Sequence, residues 1–281
     1  MSRAFRFGVV AAPQGGGTSW ASRARRVADL GYSTLLTPDN LTLNDPLLAL
    51  ATAAAAAPTL RVCPFVLAGP LRPPGVTARE AHTLTALTDG RFELGIGTGR
   101  PDARGEAEAL GLPWGTGPER LDLVREAIRR LRAFDGPEVH TPVLMAASGP
   151  RALALAAEEA DVVMLAAQPA TPRDEVGRMA RDLRSAGRDP EVGMNVFVVG
   201  DEIPDWAVRW AGPGAAEAMR STDTLAVLRG STAEMVDELE RRRETLGVSY
   251  FAVSEAFAEA LAPVVERLAG QPASVQVPRG S

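Results

Sequence analysis

The sequence contains no lysine, so all 30 of its cationic residues are arginine. That excludes a Schiff-base lysine and a lysine-bearing phosphate loop. Histidine occurs only at His82 and His140, and neither has the spacing of a metal-ligand pair, so no metal centre is expected. A single cysteine, Cys63, makes an intrachain disulfide framework impossible. It falls in an apolar run and reads as an inert core thiol. No stretch of about 20 apolar residues exists, and the alanine run 53–57 is too short to cross a bilayer. The chain does not open on a basic-then-apolar leader, and its net charge of −5 comes without a basic stripe. The expectation is a cytoplasmic protein with neither membrane nor nucleic-acid partners. A nucleophile-elbow serine motif is also missing.

What is present is a large apolar fraction, 46% of 281 residues, enough for a sizeable core. The sequence is organised around residues 90–99, GRFELGIGTG. Asp89-Gly90 signals a turn, and Phe92, Leu94 and Ile96 then alternate with Glu93, Gly95 and Gly97. Glycine at alternate positions suits either a tight turn or the close approach of something flat.

Strand and helix alternate along the chain. Apolar runs at 5–10, 33–37, 60–67, 92–97, 142–147, 161–167, 192–199 and 248–253 read as strands. Amphipathic segments separate them: a face of Trp20, Ala24 and Val27, an Asp45-Pro46 start, a helix over 77–88, and Leu121, Val124, Ile128 and Leu131 on one side of 119–134. Helices at 151–159, 172–186, 232–246 and 255–268 complete the pattern, and 202–230 reads as a helical insertion after strand seven. Eight units with strands apolar on both faces predict an α/β fold, a (β/α)8 TIM barrel. An open doubly wound sheet is the alternative, but its GxGxxG fingerprint does not follow the first strand. We expect one domain over 1–270 and a tail over 271–281. The tail's Val277-Pro278-Arg279-Gly280-Ser281 resembles the remnant of a protease-cleavage site and is set aside.

Function in such a barrel belongs at the carboxyl ends of the strands. That rule selects residues 14–17, 39–40, 66–69, 97–100 and 146–151. Asp39 and Asn40 either hydrogen-bond a ligand or end their strand as an Asx-turn. Ala147-Ser148-Gly149-Pro150-Arg151 leads into a helix whose free N–H groups suit an anion, or is an ordinary cap. Arg100, Asp102, Arg104, Glu106 and Glu108 form a charged loop that is either solvated or faces an anionic ligand.

Five stretches together resemble the luciferase-like monooxygenase superfamily, in its flavin- and F420-dependent branches. They are residues 7–10 with Ala24-Arg25-Arg26-Val27-Ala28-Asp29-Leu30-Gly31-Tyr32; Leu35-Leu36-Thr37-Pro38-Asp39-Asn40; Ala78-Arg79-Glu80 through 90–99; Ser148-Gly149-Pro150-Arg151-Ala152-Leu153 with Ala160-Asp161; and Leu246-Gly247-Val248-Ser249-Tyr250. The wording is closer to the F420 users. The resemblance implies a homodimeric barrel holding coenzyme F420, or alternatively FMN with a partner flavin reductase, and acting on a small molecule. It implies a non-prolyl cis peptide at Val66–Leu67, give or take one residue. It places Asp39, Asn40, Val66, Leu67, Ala68, Thr98 and Gly99 around the ring. The cofactor phosphate falls to Ala146, Ala147, Ser148, Gly149, Pro150 and Arg151. Asn40 and Arg100 are the catalytic candidates. Asn40 stands where many F420 dehydrogenases have histidine, and Arg100 where some have a carboxylate. Reduction of an activated double bond or imine therefore fits better than alcohol or sugar-phosphate oxidation. A barrel that binds cofactor without turnover is the third reading.

Overall fold

The computed structural model describes residues 3–270 apart from 186–188, 212–213 and 222. The tail 271–281 lies outside the described residues. Eleven strands form in the described chain: β1 Arg6–Val10, β2 Thr34–Thr37, β3 Arg61–Pro64, β4 Leu67–Ala68, β5 Leu94–Gly97, β6 Val143–Ala147, β7 Val162–Leu165, β8 Glu191–Val196, β9 Val198–Val199, β10 Val227–Leu228 and β11 Val248–Ser254. Nine lie in one parallel sheet, in the order β3-β2-β1-β11-β8-β7-β6-β5-β4. The two ends meet. Val62 of β3 donates to Arg91 O (3.0 Å) and accepts from Glu93 N (3.0 Å), just before β5. β3 and β4 are thus one interrupted barrel strand, and the closed sheet is an eight-stranded (β/α)8 barrel.

The helices are α1 Gly17–Asp29, α2 Pro46–Ala56, α3 Pro74–Leu87, α4 Arg104–Ala109, α5 Gly117–Asp135, α6 Pro150–Glu159, α7 Arg173–Ser185, α8 Asp205–Ala211, α9 Ala215–Arg220, α10 Thr232–Leu246 and α11 Ala258–Leu268. Their boundaries have local causes. Pro74 at the first helical position starts α3 three residues before the expected 77, because its fixed φ suits the first turn. Thr116 with Glu119 and Ser231 with Glu234 form reciprocal capping boxes at α5 and α10. Gly247 closes α10 in the left-handed conformation.

Strand alternation sorts the side chains into two cores. Leu35, Val62, Leu94, Met145, Val163, Met194 and Phe251 point outward to the helices. Leu36, Cys63, Leu144, Met164, Tyr250 and Ala252 fill the barrel interior. Beneath them, at the amino ends of the strands, Arg6 pairs with Glu93 and with Glu191 (3.0 Å), and Arg61 also pairs with Glu93. Arg6 lies over the Tyr250 ring at 4.2 Å. This charged plug closes the bottom, so the open end is the carboxyl end. Gly95 is required halfway up. A Cβ there would stand 1.8 Å from Pro64 O, so β3 and β5 come together only because the side chain is absent.

The expected non-prolyl cis peptide is present at Phe65–Val66, within the one-residue range given from the sequence; it falls in the gap between β3 and β4. One expectation needs correction: the stretch 202–230 is not purely helical. It carries α8 and α9 but ends in β10, whose Val227 and Leu228 pair with Val198 and Val199 of β9. The apolar run Leu225-Ala226-Val227-Leu228 is buried and meets its hydrogen-bonding needs as a strand.

Candidate active site

The carboxyl ends of β2, the β3–β4 strand and β5 are bound into one unit. Asp39, at the exit of β2, is 4% exposed. Its carboxylate accepts from Ala68 N at 3.0 Å and, in a two-pronged pair, from Arg72 at 2.6 and 3.2 Å. Arg72 reaches Asp45 as well, at 3.1 Å. Burial opposes the charge on Arg72, but its hydrogen bonds to Asp39 and Asp45 and their negative charges outweigh it and raise its pKa above the usual value. Asp39 therefore fixes the backbone two residues beyond the cis peptide. Its carboxylate is spent on protein groups rather than turned to the mouth.

Asn40 forms the Asx-turn that was one of its two sequence readings. Its Oδ1 accepts from Thr42 N at 2.8 Å and Thr42 Oγ1 at 2.7 Å. Its Nδ2 makes no hydrogen bond among the described residues. Arg100 donates to Asp39 O (3.0 Å), Asp102 (3.2 Å) and Glu106 (2.6 Å). Glu106 in turn accepts from Leu41 N at 3.1 Å. The loop after β5 is thereby clamped onto the loop after β2, with Arg100 as the clamp.

Gly99 has φ +83°, and a Cβ there would stand 2.9 Å from the Trp114 ring and 3.4 Å from Ala68 Cβ. Trp114 is buried with Ala68, Leu71, Ala103 and Ala107. Arg120 stacks on its ring at 4.5 Å and donates to Thr98 O at 3.0 Å. Thr98 and Gly99 are thus held by Trp114, in the loop before α5, and by Arg120 in the first turns of α5.

Inside the mouth, Val10, Phe65, Val66 and Ala146 are partly buried and rest on the interior core. They make an apolar rim over the filled barrel. Leu67, by contrast, is 1% exposed and packs into the outer core, so it offers the mouth only backbone. Ala147 does the same. Ser148, Gly149, Pro150 and Arg151 are exposed, and Gly149 caps α6 without a side-chain hydrogen bond. The first-turn N–H groups of α6 are therefore open to an anion. Asn195 adds a buried Oδ1 that has no partner among the described residues. It alternates with the outward-facing Met194 and Val196 near the end of β8. An apolar rim, an unmatched buried amide oxygen and an uncapped helix start fit a flat ring system that carries a phosphate.

Sequence reasoning missed Phe65, Arg72, Trp114, Arg120 and Asn195. Asn195 had a readable signal, a lone amide inside the apolar run 192–199. Arg72 had none, because its partner lies 33 residues away. The histidines stand apart from the mouth: His82 pairs with Asp135 (2.9 Å) and His140 with Asp161 (3.1 Å). Among the described residues there is no group of three or more His, Cys, Asp or Glu able to hold a metal, and no helix is long and apolar enough to cross a membrane.

A curated relative from Beutenbergia cavernae, an F420-dependent glucose-6-phosphate dehydrogenase, is 39% identical over 132 residues. The alignment spans 38% of this chain and 38% of that relative's length. The solved F420-dependent tetrahydromethanopterin reductase of Methanopyrus kandleri superposes with a TM-score of 0.72 at 18% identity, over 94% of this chain and 99% of that one. A solved F420-dependent secondary alcohol dehydrogenase, in complex with an F420–acetone adduct, gives the same TM-score over 93% and 99%. At those identities the two structures show the shared fold. The family model for luciferase-like monooxygenases matches residues 6–275, nearly the full chain. The chain belongs to the luciferase-like monooxygenase family.

Proposed function

We propose that the chain is an F420-dependent oxidoreductase that reduces an activated double bond or imine in a small organic substrate. The proposal extends to a homodimer working in the cytoplasm, with one barrel domain over 1–270. The observation that carries it is the mouth itself: an apolar rim beside an uncapped helix start, in a chain whose curated relatives include F420-dependent dehydrogenases. When bound, the deazaflavin supplies a ring carbon that gives or takes a hydride.

The chain's own residues would do the rest. Val66, Ala68, Thr98 and Gly99 line one side of the ring site. The first-turn N–H groups of α6, with Ser148 and Arg151, take the phosphate. A charge at a helix start gains about 0.3–1 kcal/mol from the helix dipole, and the direct bonds of Arg151 add to that. Asp39 acts as a positioning residue through Ala68 and Arg72. Asn40 offers Nδ2 as a donor to the ring or substrate, and has no proton to exchange near neutral pH. Arg100 is already bound to two carboxylates, so a substrate anion would share it with Asp102 and Glu106. With neither an acid nor a base at position 40, an alcohol–carbonyl couple lacks its proton-transfer group in both directions; an enone or imine that accepts the hydride at carbon can take the balancing proton from water, which favours that substrate class.

The test is anaerobic transfer of deuterium from labelled, reduced F420 to a panel of enones and imines. Label appearing on substrate carbon supports the proposal. Failure with every acceptor, together with oxygen consumption on reduced FMN, would replace it by a flavin monooxygenase. Tight cofactor binding with no electron transfer to any acceptor would leave a non-catalytic barrel.

A further inference from the structure

A cleft of about 780 Å³ lies away from the barrel mouth, on the outer side between α7, α10 and the 202–230 stretch. Its walls carry six guanidinium groups, from Arg173, Arg181, Arg220, Arg229, Arg241 and Arg242. Among the described residues, three carboxylates face them, Asp174, Asp223 and Glu238. A protein with a net charge of −5 thus concentrates three excess positive charges in one concavity. We infer that this cleft is a second binding site, separate from the mouth, for a small oligoanion bearing two or more phosphate or carboxylate groups.

The internal pairing leaves that charge unspent. Glu238 alone serves three arginines: it accepts from Arg173 at 3.3 Å, from Arg242 at 2.8 Å and from Arg241. Arg242, 1% exposed, is further fixed by Leu225 O at 2.9 Å. It forms a rigid part of the wall rather than a mobile surface group. Burial lowers its pKa most, Glu238 raises it, and the nearby charges of Arg173 and Arg241 lower it again; Arg173 is also paired with Asp223 at 2.9 Å. Arg229 is committed to Met219 O and Ser221 O. Arg181 and Arg220 have no hydrogen-bond or ion-pair partner among the described residues. Arg181 lies back over Gly177, where a Cβ would stand 3.3 Å from its Nη1. The missing side chain leaves room for that guanidinium along α7. Planar, forked donors of this kind match carboxylate and phosphate oxygens in pairs, and the volume is that of a small-molecule site.

Calorimetric titration of the full chain with inorganic pyrophosphate and with citrate tests the inference. We expect saturable one-to-one binding of at least one probe, weakened about tenfold in an Arg181→Gln/Arg220→Gln double variant, the loss of roughly 1.4 kcal/mol. Both positions are exposed, and the single variants serve if the double variant melts early. Arg125→Gln, an exposed pair with Asp122, should change nothing. Arg151→Gln should also leave the binding intact, which separates this cleft from the start of α6. Binding of pyrophosphate alone assigns a phosphate ligand, and binding of citrate alone a carboxylate one. No saturable binding, or binding that falls with Arg151→Gln and persists in the double variant, overturns the inference. The outcome does not depend on any cofactor at the mouth.

Discussion

Replacing Asp39 by alanine should weaken the fold by about 3 kcal/mol, through two polar contacts rather than through lost apolar packing. The carboxylate satisfies the buried N–H of Ala68, and leaving such a donor unpaired costs about 1–3 kcal/mol. It also neutralises Arg72, whose side chain is 15% exposed. Removing one member of a fully buried pair costs about 3–5 kcal/mol. Here the figure falls toward the lower end, because Arg72 keeps Asp45 at 3.1 Å and some water. For a domain of this size a loss of about 3 kcal/mol lowers the melting temperature by roughly 6–10 °C. Asp39→Asn keeps an acceptor for Ala68 and should lose about half as much. Denaturant unfolding of the single variants and of Asp39→Ala/Arg72→Ala completes a double-mutant cycle, with a coupling of at least about 1 kcal/mol expected. A loss below about 1 kcal/mol for Asp39→Ala, with no coupling to Arg72, would refute the reasoning. Cofactor affinity should fall in the same variants, since the strand end beyond the cis peptide loses its anchor.

Gly95→Ala sets a Cβ 1.8 Å from Pro64 O and should cost about 3 kcal/mol or more, whereas Gly105→Ala, in α4 with open space around it, should be neutral or stabilising by up to about 1 kcal/mol; urea midpoints distinguish the two. Burial is the largest influence on Glu191 and raises its pKa, opposed by Arg6. The folded state then holds that proton more tightly than the unfolded chain, so this contribution is fully present below the ordinary glutamate range and is lost as pH rises through the raised value. Relative to Glu191→Gln, the wild type should therefore lose stability across that window, and parallel melting curves from pH 4 to 8 would contradict it. Arg151→Gln should weaken cofactor binding about five- to tenfold, with a smaller salt dependence, while the melting temperature of the free protein stays unchanged.

The barrel was legible because its signal is local and repeated. Apolar strands of about five residues alternate with amphipathic helices, and GRFELGIGTG marks β5 and its exit. The strand ends that frame the candidate site were legible as positions, since the carboxyl-end rule needs only strand boundaries. What each position does was less visible. Asp39 reads locally as a strand end beside a possible ligand, yet its partner Arg72 lies across the next βα unit, and no nearby residue announces that pair. Leu67 reads as a mouth residue until the 65–66 break is known; the interruption sets which side chains face outward after it. The strand β10 was hidden because its pairing partner, β9, lies some thirty residues earlier, and a two-residue strand carries no period of its own. Trp114 and Arg120 sit in and after a loop whose turn signals say nothing of the ring that folds back over Gly99.

The central claim is that the barrel mouth accepts F420. Titrating the purified protein with F420 and with FMN, followed by fluorescence quenching, tests it most directly. Low-micromolar binding of F420 with much weaker binding of FMN is the predicted result; preference for FMN, or binding of neither, would contradict it.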